Sequence, residues 1–112
     1  MPSSSKNALR APEELRAHAA EACSLLKSLA NEDRLMLLCQ IASARRNVGE
    51  LEAATGIGQP TLSQQLAVLR QEGLAVSEKE GKYVYYRLPD DRAVRIMRAL
   101  WEIYCAPAKA DT

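Results

Sequence analysis

The chain has 112 residues, which suits a single domain, and 47% of them are hydrophobic, which is enough to build a core. Its longest apolar run, Leu35–Cys39, is too short to span a bilayer, and the opening "MPSSSKN" lacks the apolar core of a signal peptide, so we expect a cytoplasmic protein with no membrane association. The net charge of +1 names no partner, and three cysteines in a reducing compartment argue against a disulfide framework.

The two ends of the chain predict tails around one domain. Residues 1–10 are polar and Ser-rich, so they predict a flexible tail, and residues 107–112 predict another one after the last helix. Residues 11–106 are therefore the expected domain. Its first helix, over residues 11–30, is predicted by Pro12 in the first turn and by apolar side chains at helical spacing: Leu15, Ala19, Ala22, Leu25, Leu26 and Leu29.

Two asparagines mark the starts of the second and third helices. Asn31 is a strong N-cap for a helix over residues 32–43, which reads "EDRLMLLCQIAS". Asn47 and Glu50 have the spacing of a capping box, so a short third helix, "VGELEAAT", is expected to follow. The "GIG" at 56–58 then predicts a tight turn.

A fourth helix and a hairpin are predicted after this turn. The stretch "QPTLSQQLAVLRQEG" has Leu62, Leu66 and Leu69 at the spacing of one buried helix face, and Gly73 is the expected stop. The period of the apolar residues then changes to two on both sides of "EG" at 80–81, which predicts a β-hairpin.

The last helix, capped by Asp90 or Asp91 and running to about Cys105, has a wider apolar face than a small domain needs. One apolar stripe is formed by Ala93, Ile96, Leu100 and Ile103, and the stripe beside it by Val94, Met97, Trp101 and Tyr104. We predict that one side of this face packs on its own domain and that the second stripe packs on another copy, giving a homodimer through terminal helices. The alternative is a helix that only lies across its own core.

The order short helix, glycine turn, helix, hairpin is typical of a winged helix-turn-helix, so we expect a mainly helical α+β domain with four helices, two strands and a last helix. The second helix of such a motif enters a major groove about 12 Å wide, where its outward side chains meet base edges. The outward positions of the fourth helix carry hydroxyl and amide groups that can bond bases or phosphates: Gln59, Thr61, Ser63, Gln64 and Gln65.

Basic side chains near this helix are candidates for contact with the DNA backbone. Arg70 lies further along the fourth helix, and Lys79 and Lys82 lie at the hairpin tip, where they would supply sequence-independent affinity. Three more arginines, in the segment before the third helix and behind the hairpin, could add such contacts: Arg45, Arg46 and Arg87. The alternatives are an ordinary solvated surface and a protein-interaction module without affinity for DNA.

The stretch "VGELEAATGIGQPTLSQQLAVLRQEGLAVSEKEGKYVYYRL" resembles the DNA-binding core of the ArsR/SmtB family of bacterial repressors. The similarity in pattern runs from about Leu25 to Cys105, which is most of the chain. The resemblance implies a homodimer of winged helix-turn-helix subunits that binds a double-stranded palindromic operator and releases it when an inducer binds.

The ligand positions of the common metal sites of that family are not matched. One such site uses a Cys-x-Cys where this chain has Asn47 and Gly49, and another uses a His on the last helix, which has none. The one His of the chain, His18, lies in the first helix and is expected at the surface. We therefore expect no metal site of these two kinds and no cofactor, since zinc sites require four N or S ligands.

The placement of Cys39 and Cys105 resembles the sulfide- and persulfide-responsive branch of the family. The resemblance implies that reactive sulfur species, as persulfide or polysulfide, join these two thiols and that the repressor then leaves its operator. Two alternatives stay open: a metal- or metalloid-responsive repressor that uses Cys39 and Cys105, with or without Cys23, and a regulator whose cysteines only pack. An enzyme is not expected, because no Cys-x-x-Cys motif and no nearby His base accompany the cysteines.

A disulfide requires Cα atoms within about 7 Å, and each inserted sulfur lengthens the bridge by about 2 Å. We predict that Cys39 and Cys105 lie near each other but too far apart for an unstrained disulfide. A polysulfide bridge would then be favoured over simple oxidation.

Overall fold

A computed structural model describes residues 12–105, so the two predicted tails lie outside the described residues. The described part consists of helices and one small sheet, in the order α1 Pro12–Ala17, α2 Ala19–Leu29, α3 Glu32–Ser43, β1 Arg46–Asn47, α4 Val48–Thr55, α5 Thr61–Gln71, β2 Val76–Glu80, β3 Tyr83–Arg87 and α6 Arg92–Tyr104. The prediction of a mainly helical α+β fold is confirmed. Between residues 12 and 105, no helix combines the length and the apolar character that crossing a membrane demands.

The prediction of one unbroken first helix was wrong, because the chain divides into α1 and α2 at His18. The backbone of His18 has φ −114° and ψ 11°, and its N–H donates to the carbonyl of Leu15, three residues back. The carbonyl of His18 then accepts from Ala22, so the new helix starts there. His18 Nδ1 lies 3.1 Å from Glu21 Oε1, a contact that holds the ring over the first turn of α2.

The two predicted asparagine caps are confirmed, whereas at the start of α6 the N-cap residue Asp91 makes no side-chain cap bond and Asp90 Oδ1 accepts the N–H of Arg92 at 3.0 Å. The side chain of Asn31 accepts the N–H of Arg34 at 3.0 Å at the start of α3. At the start of α4, Glu50 N–H donates to Asn47 Oδ1 at 2.8 Å and Asn47 N–H donates to Glu50 Oε1 at 2.9 Å. These bonds satisfy backbone donors that have no partner inside the helix.

The core is built mainly from leucine and is centred on α3, which contacts α2, α4, α5, α6 and β3. Its fully buried side chains come from α3, α4 and α5: Leu37, Leu38, Leu51, Leu62, Leu66 and Leu69. The three predicted inward leucines of α5 are among them. Gly73 has φ +75°, and the N–H of Leu74 donates back to the carbonyl of Leu69, so α5 ends where the sequence predicted.

The hairpin is confirmed, and a third strand joins it. The strand order is β1-β3-β2, and all pairs are antiparallel. Glu80 pairs with Tyr83, so the turn consists of Gly81, which has φ +63°, and Lys82. The strand β1 was not predicted, because two residues cannot show a period and Arg46 and Asn47 are not typical strand formers.

Candidate DNA interface and thiol site

The exposed side of α5 presents a short row of polar side chains. Because Leu62, Leu66 and Leu69 face the core, Gln64 projects away from it, and Ser63 and Arg70, seven positions apart, share an exposed stripe to one side of Gln64. Gln64, Ser63 and Arg70 are all exposed, as a helix face that meets base edges must be.

The other predicted contacts of this helix are placed differently. Gln59 precedes α5, and its Oε1 accepts both the N–H of Ser63 at 3.1 Å and the hydroxyl of Ser63 at 2.7 Å. Gln59 therefore supports the first turn of α5 from outside the helix. Thr61, the first residue of α5, is half-buried. The helix was predicted to include Gln59, and this boundary was wrong by two residues.

Gln65 was predicted to point outward, but it is half-buried and bonded within the chain. Its Oε1 accepts from Arg34 Nη1 at 2.9 Å. The same guanidinium donates through Nε to the carbonyl of Ser28 at 2.6 Å and through Nη2 to that of Lys27 at 3.3 Å. Arg34 thus links the end of α2 to α5, and this residue was missed by sequence reasoning.

A signal for Arg34 was present in the sequence. It follows the end of α2 by only a few residues, and cations close to a helix C-terminus complement the unpaired carbonyls there. The sequence could not show the hydrogen bond between Arg34 and Gln65, because Gln65 belongs to a different helix, α5.

We call the side of the sheet opposite the buried Tyr86 the outer face. Side chains alternate along a strand, so this face carries Glu78 and Glu80 of β2, their register partners Tyr85 and Tyr83 on β3, and Arg87, which pairs with Val76. Lys79 and Lys82 are exposed near the hairpin tip, as predicted, with Lys82 Nζ 5.8 Å from the centre of the Tyr83 ring.

Arg45 and Arg87 lie on the outer face, and both are paired with glutamates. Arg45 Nη2 donates to Glu80 Oε1 at 2.7 Å, and its guanidinium lies 3.9 Å from the centre of the Tyr85 ring. Arg87 Nε donates to Glu78 Oε2 at 2.8 Å. The hydrogen bond from Arg87 lowers the pKa of Glu78, and the one to Glu80 raises the pKa of Arg45, so these contacts favour the charged forms of Glu78 and Arg45.

Arg46 is turned toward the end of α3 instead of the outer face. Its Nη2 donates to the hydroxyl of Ser43 at 3.1 Å and its Nε to the carbonyl of Gln40 at 3.4 Å. Arg46 therefore donates to acceptors at the C-terminal end of α3, where a cation is favourable because the helix dipole is negative.

Cys39 lies half-buried on α3 and faces α6. Its thiol donates to the thioether of Met97 across 3.5 Å, and burial raises the pKa of the thiol. Cys39 opens on a groove of about 590 Å³ between the two helices, whose α6 wall includes Val94, Arg98 and Trp101. A half-buried neutral thiol beside an open groove is accessible to a small reactant.

Cys105 is exposed directly after α6, and its N–H donates to the carbonyl of Trp101 at 2.8 Å. It follows Met97 by two helical turns on the same side of the helix, which is about 12 Å along the axis. Cys105 is therefore beyond the end of the groove wall formed by Trp101, and the structure contains no bond between it and Cys39. Cys23 is exposed on α2.

The predicted dimerisation residues of α6 differ in exposure. Trp101 is 59% exposed and Tyr104 is 78% exposed, and Ile103 between them is 61% exposed. Val94 is half-buried against the core. Met97 is only 6% exposed, so its side chain is already used by its own core and has little surface for a second copy.

Across residues 12–105, no three His, Cys, Asp or Glu side chains lie close enough together to hold a metal ion.

Similarity to known proteins extends over most of the chain. A sequence profile described as "Bacterial regulatory protein, arsR family" matches residues 31–77. The biofilm growth-associated repressor of Agrobacterium fabrum is 52% identical over 89 residues, which cover 80% of this chain and 76% of that protein. The transcriptional activator HlyU of Vibrio cholerae is 38% identical over 83% of this chain and 86% of its own.

The fold agrees with that of a solved relative. The crystal structure of the transcriptional repressor BigR from Xylella fastidiosa superposes with a TM-score of 0.81 at 45% identity, covering 84% of this chain and 96% of that one.

Proposed function

Because the chain belongs to the ArsR family of bacterial regulatory proteins, we propose that it is a dimeric DNA-binding repressor whose operator is released when Cys39 and Cys105 are bridged by reactive sulfur species. The proposal that reactive sulfur species cause this release is supported by the position of the two thiols. Cys39 opens on the groove between α3 and α6, and Cys105 lies at the end of α6. Repression is proposed over activation because the repressors of Agrobacterium and Xylella are more similar to this chain than the Vibrio activator is.

DNA reading is assigned to α5 and the hairpin. Gln64 is the proposed base-reading residue, because an amide can bond adenine bidentately from the exposed side of a helix in the major groove. Ser63 and Arg70, on the stripe beside it, are proposed to contact bases or phosphates, and Lys79 and Lys82 are proposed to contact the DNA backbone. Gln59, Thr61 and Gln65 are proposed to act mainly by holding α5 in place.

The homodimer is proposed to form through α6 and the helices at the start of the chain. Trp101, Ile103 and Tyr104 are large apolar side chains exposed at the end of α6, and Leu15 on α1 is 64% exposed. Exposed side chains of this size favour burial against another surface. A twofold symmetric operator requires two copies of α5 at a fixed spacing, which a dimer through these helices would provide.

The proposed chemistry links the two thiols with a persulfide as oxidant. In the simplest balance, two cysteine thiols and one persulfide, RSSH, yield a disulfide, one RSH and one molecule of hydrogen sulfide. Each additional RSSH inserts one sulfur into the bridge and releases one more RSH. The separation between Met97, which contacts Cys39, and Cys105 favours the longer bridge, because a disulfide requires Cα atoms within about 7 Å.

Coupling to DNA is proposed to run through α6. A bridge from Cys39 to Cys105 would draw the end of α6 toward α3, and the end of α6 carries the proposed dimer contacts Trp101 and Tyr104. Half-sites on one face of DNA lie about 34–36 Å apart, so a small change in the angle between subunits is enough to lose one of them.

The test is operator binding by the reduced and the persulfide-treated protein, with the operator first selected from a random duplex pool. We expect tight binding when reduced, loss of binding after treatment, and a mass increase of the treated chain that corresponds to an internal bridge with added sulfur. A bridged protein that binds as tightly as the reduced one would contradict the release mechanism.

Two variants separate sensing from packing. Cys39→Ser and Cys105→Ser are each expected to bind the operator and to keep it after treatment, whereas Cys23→Ser should respond like the wild type. Titration of the reduced protein with zinc or arsenite tests the alternative of a metal- or metalloid-responsive repressor, which predicts release of the operator without added sulfur.

A further inference from the structure

The outer face of the sheet holds two arginines and two glutamates that neutralise one another. Arg45 is bonded to Glu80 at 2.7 Å, with Glu78 Oε1 at 4.0 Å from its other nitrogen, and Arg87 is bonded to Glu78 at 2.8 Å. This is the sheet of the hairpin to which the proposed function assigns contact with the DNA backbone. Its outer face therefore offers little net positive charge while these pairs are intact.

These ion pairs are open to solvent and can exchange partners. The four side chains are between 36% and 65% exposed, and exposed ion pairs contribute little to stability. A phosphate group offers a guanidinium the same two-oxygen geometry as a carboxylate and carries its charge in a dense array along DNA. A phosphate can thus replace a glutamate at small cost.

Arg45 is better placed for this exchange than Arg87. It immediately precedes β1 and α4, the first helix of the helix-turn-helix, and its side chain reaches Glu80 of the hairpin. The Tyr85 ring, 3.9 Å from its guanidinium, supports the side chain independently of Glu80 and limits its rotamers. Arg45 can therefore keep its position when the carboxylate leaves.

We propose that Arg45 is a phosphate contact of this protein and that Glu80 is its intramolecular competitor, so that Arg45 exchanges the Glu80 carboxylate for a backbone phosphate when DNA binds. The inference rests on the proposed DNA-binding function and adds that Glu80 weakens binding to DNA of any sequence. Specific complexes, which gain base contacts from α5, tolerate this loss better than non-specific complexes do.

The test is a double-mutant cycle on binding to a fluorescent duplex of arbitrary sequence, about 30 base pairs or three helical turns long, at several low salt concentrations. Glu80→Gln is expected to tighten binding about two- to fivefold, the range that the energy of an exposed ion pair allows. Arg45→Gln is expected to weaken binding and to reduce the slope of log K against log salt by about 0.9, the loss of one phosphate contact.

The double variant Arg45→Gln, Glu80→Gln distinguishes competition between Glu80 and phosphate for Arg45 from a general effect of removing a negative charge. With Arg45→Gln in place, Glu80→Gln should give no gain, because the competitor has lost its target. Glu32→Gln is the matched control. It also removes one negative charge, but at the start of α3, the end of that helix away from Arg45, and it is expected to change the affinity for DNA much less. Circular dichroism melting verifies that each variant is folded.

Two results would overturn the inference while leaving the proposed function intact. One is a gain from Glu80→Gln that is as large without Arg45 as with it, and the other is an unchanged salt slope in Arg45→Gln. A wild-type protein with no salt-dependent affinity for the duplex would contradict the proposed function and this inference together.

Discussion

The thiol of Cys39 donates a hydrogen bond to the thioether of Met97 across 3.5 Å, and this contact joins the central helix α3 to the last helix α6. Met97 is buried in the core, whereas Trp101 and Cys105, one and two turns further along α6, are exposed. A chemical change at Cys39 therefore acts on the buried part of a helix whose free end carries the proposed dimer contacts.

The alkylation of Cys39 is expected to require a higher pH than that of a free thiol. Burial disfavours the thiolate and raises the pKa of this thiol, so its alkylation by iodoacetamide should reach half of its maximal rate at a higher pH than the alkylation of an unperturbed cysteine does. The measurement uses a Cys23→Ser, Cys105→Ser variant, with N-acetylcysteine as reference. A midpoint at or below that of the reference would contradict the expectation.

Replacing Met97 by Leu tests which neighbour sets this pKa. The substitution retains the volume and the burial but removes the sulfur acceptor, and a thioether is only a weak acceptor. We expect the alkylation midpoint of Cys39 to change little in Met97→Leu. A large fall would instead show that the thioether contact, and not burial, holds the thiol neutral.

Gln64 and Gln65 are adjacent in sequence but are expected to respond in opposite ways to substitution by alanine. Gln64→Ala should weaken operator binding by about 1–3 kcal/mol and relax the preference at one base pair, with unchanged stability. Gln65→Ala removes an acceptor from Arg34, so it should lower the free energy of unfolding by about 1–3 kcal/mol. Binding titrations and urea denaturation measure the two effects, and equal behaviour of the two variants would contradict the assignment.

Substitution of Trp101 by Arg is expected to give a folded monomer. A charged side chain in place of the exposed Trp101 cannot be buried without a partner, so the dimer should dissociate at micromolar concentration while the circular dichroism spectrum is retained. Sedimentation velocity measures the mass, and Arg95→Glu on the exposed polar side of α6 is the control. A Trp101→Arg variant that sediments as a dimer would exclude this interface.

The capping box of α4 is expected to contribute measurably to the free energy of unfolding. Asn47→Ala removes the acceptor of the Glu50 N–H and should lower the free energy of unfolding by about 1 kcal/mol. Asn47→Asp retains the acceptor and should be nearly neutral. Urea denaturation of the three proteins compares them, and a loss as large in Asn47→Asp as in Asn47→Ala would show that the cap is not the cause.

Local features of the sequence predicted most of the fold. Asn31, the Asn47–Glu50 pair and Gly73 each act within a few residues of themselves, so their patterns predicted helix boundaries that the structure confirms. The leucine spacing of α5 likewise predicted its buried face. The break at His18 and the strand β1 were missed, because neither a breaker residue nor a period announces them.

The sequence by itself determined the order of the longer helices and the hairpin, the exposed position of Gln64 on α5 and the existence of two thiols in α3 and at the end of α6, since these follow from spacing along one chain. Only the tertiary structure decided that Gln65 is bonded inside the molecule and that Glu80 pairs with Arg45. It also decided that Met97 belongs to the core beside Cys39. The physical reason is that each of these contacts joins side chains from separate elements, and their meeting depends on how α3, α5, α6 and the sheet pack.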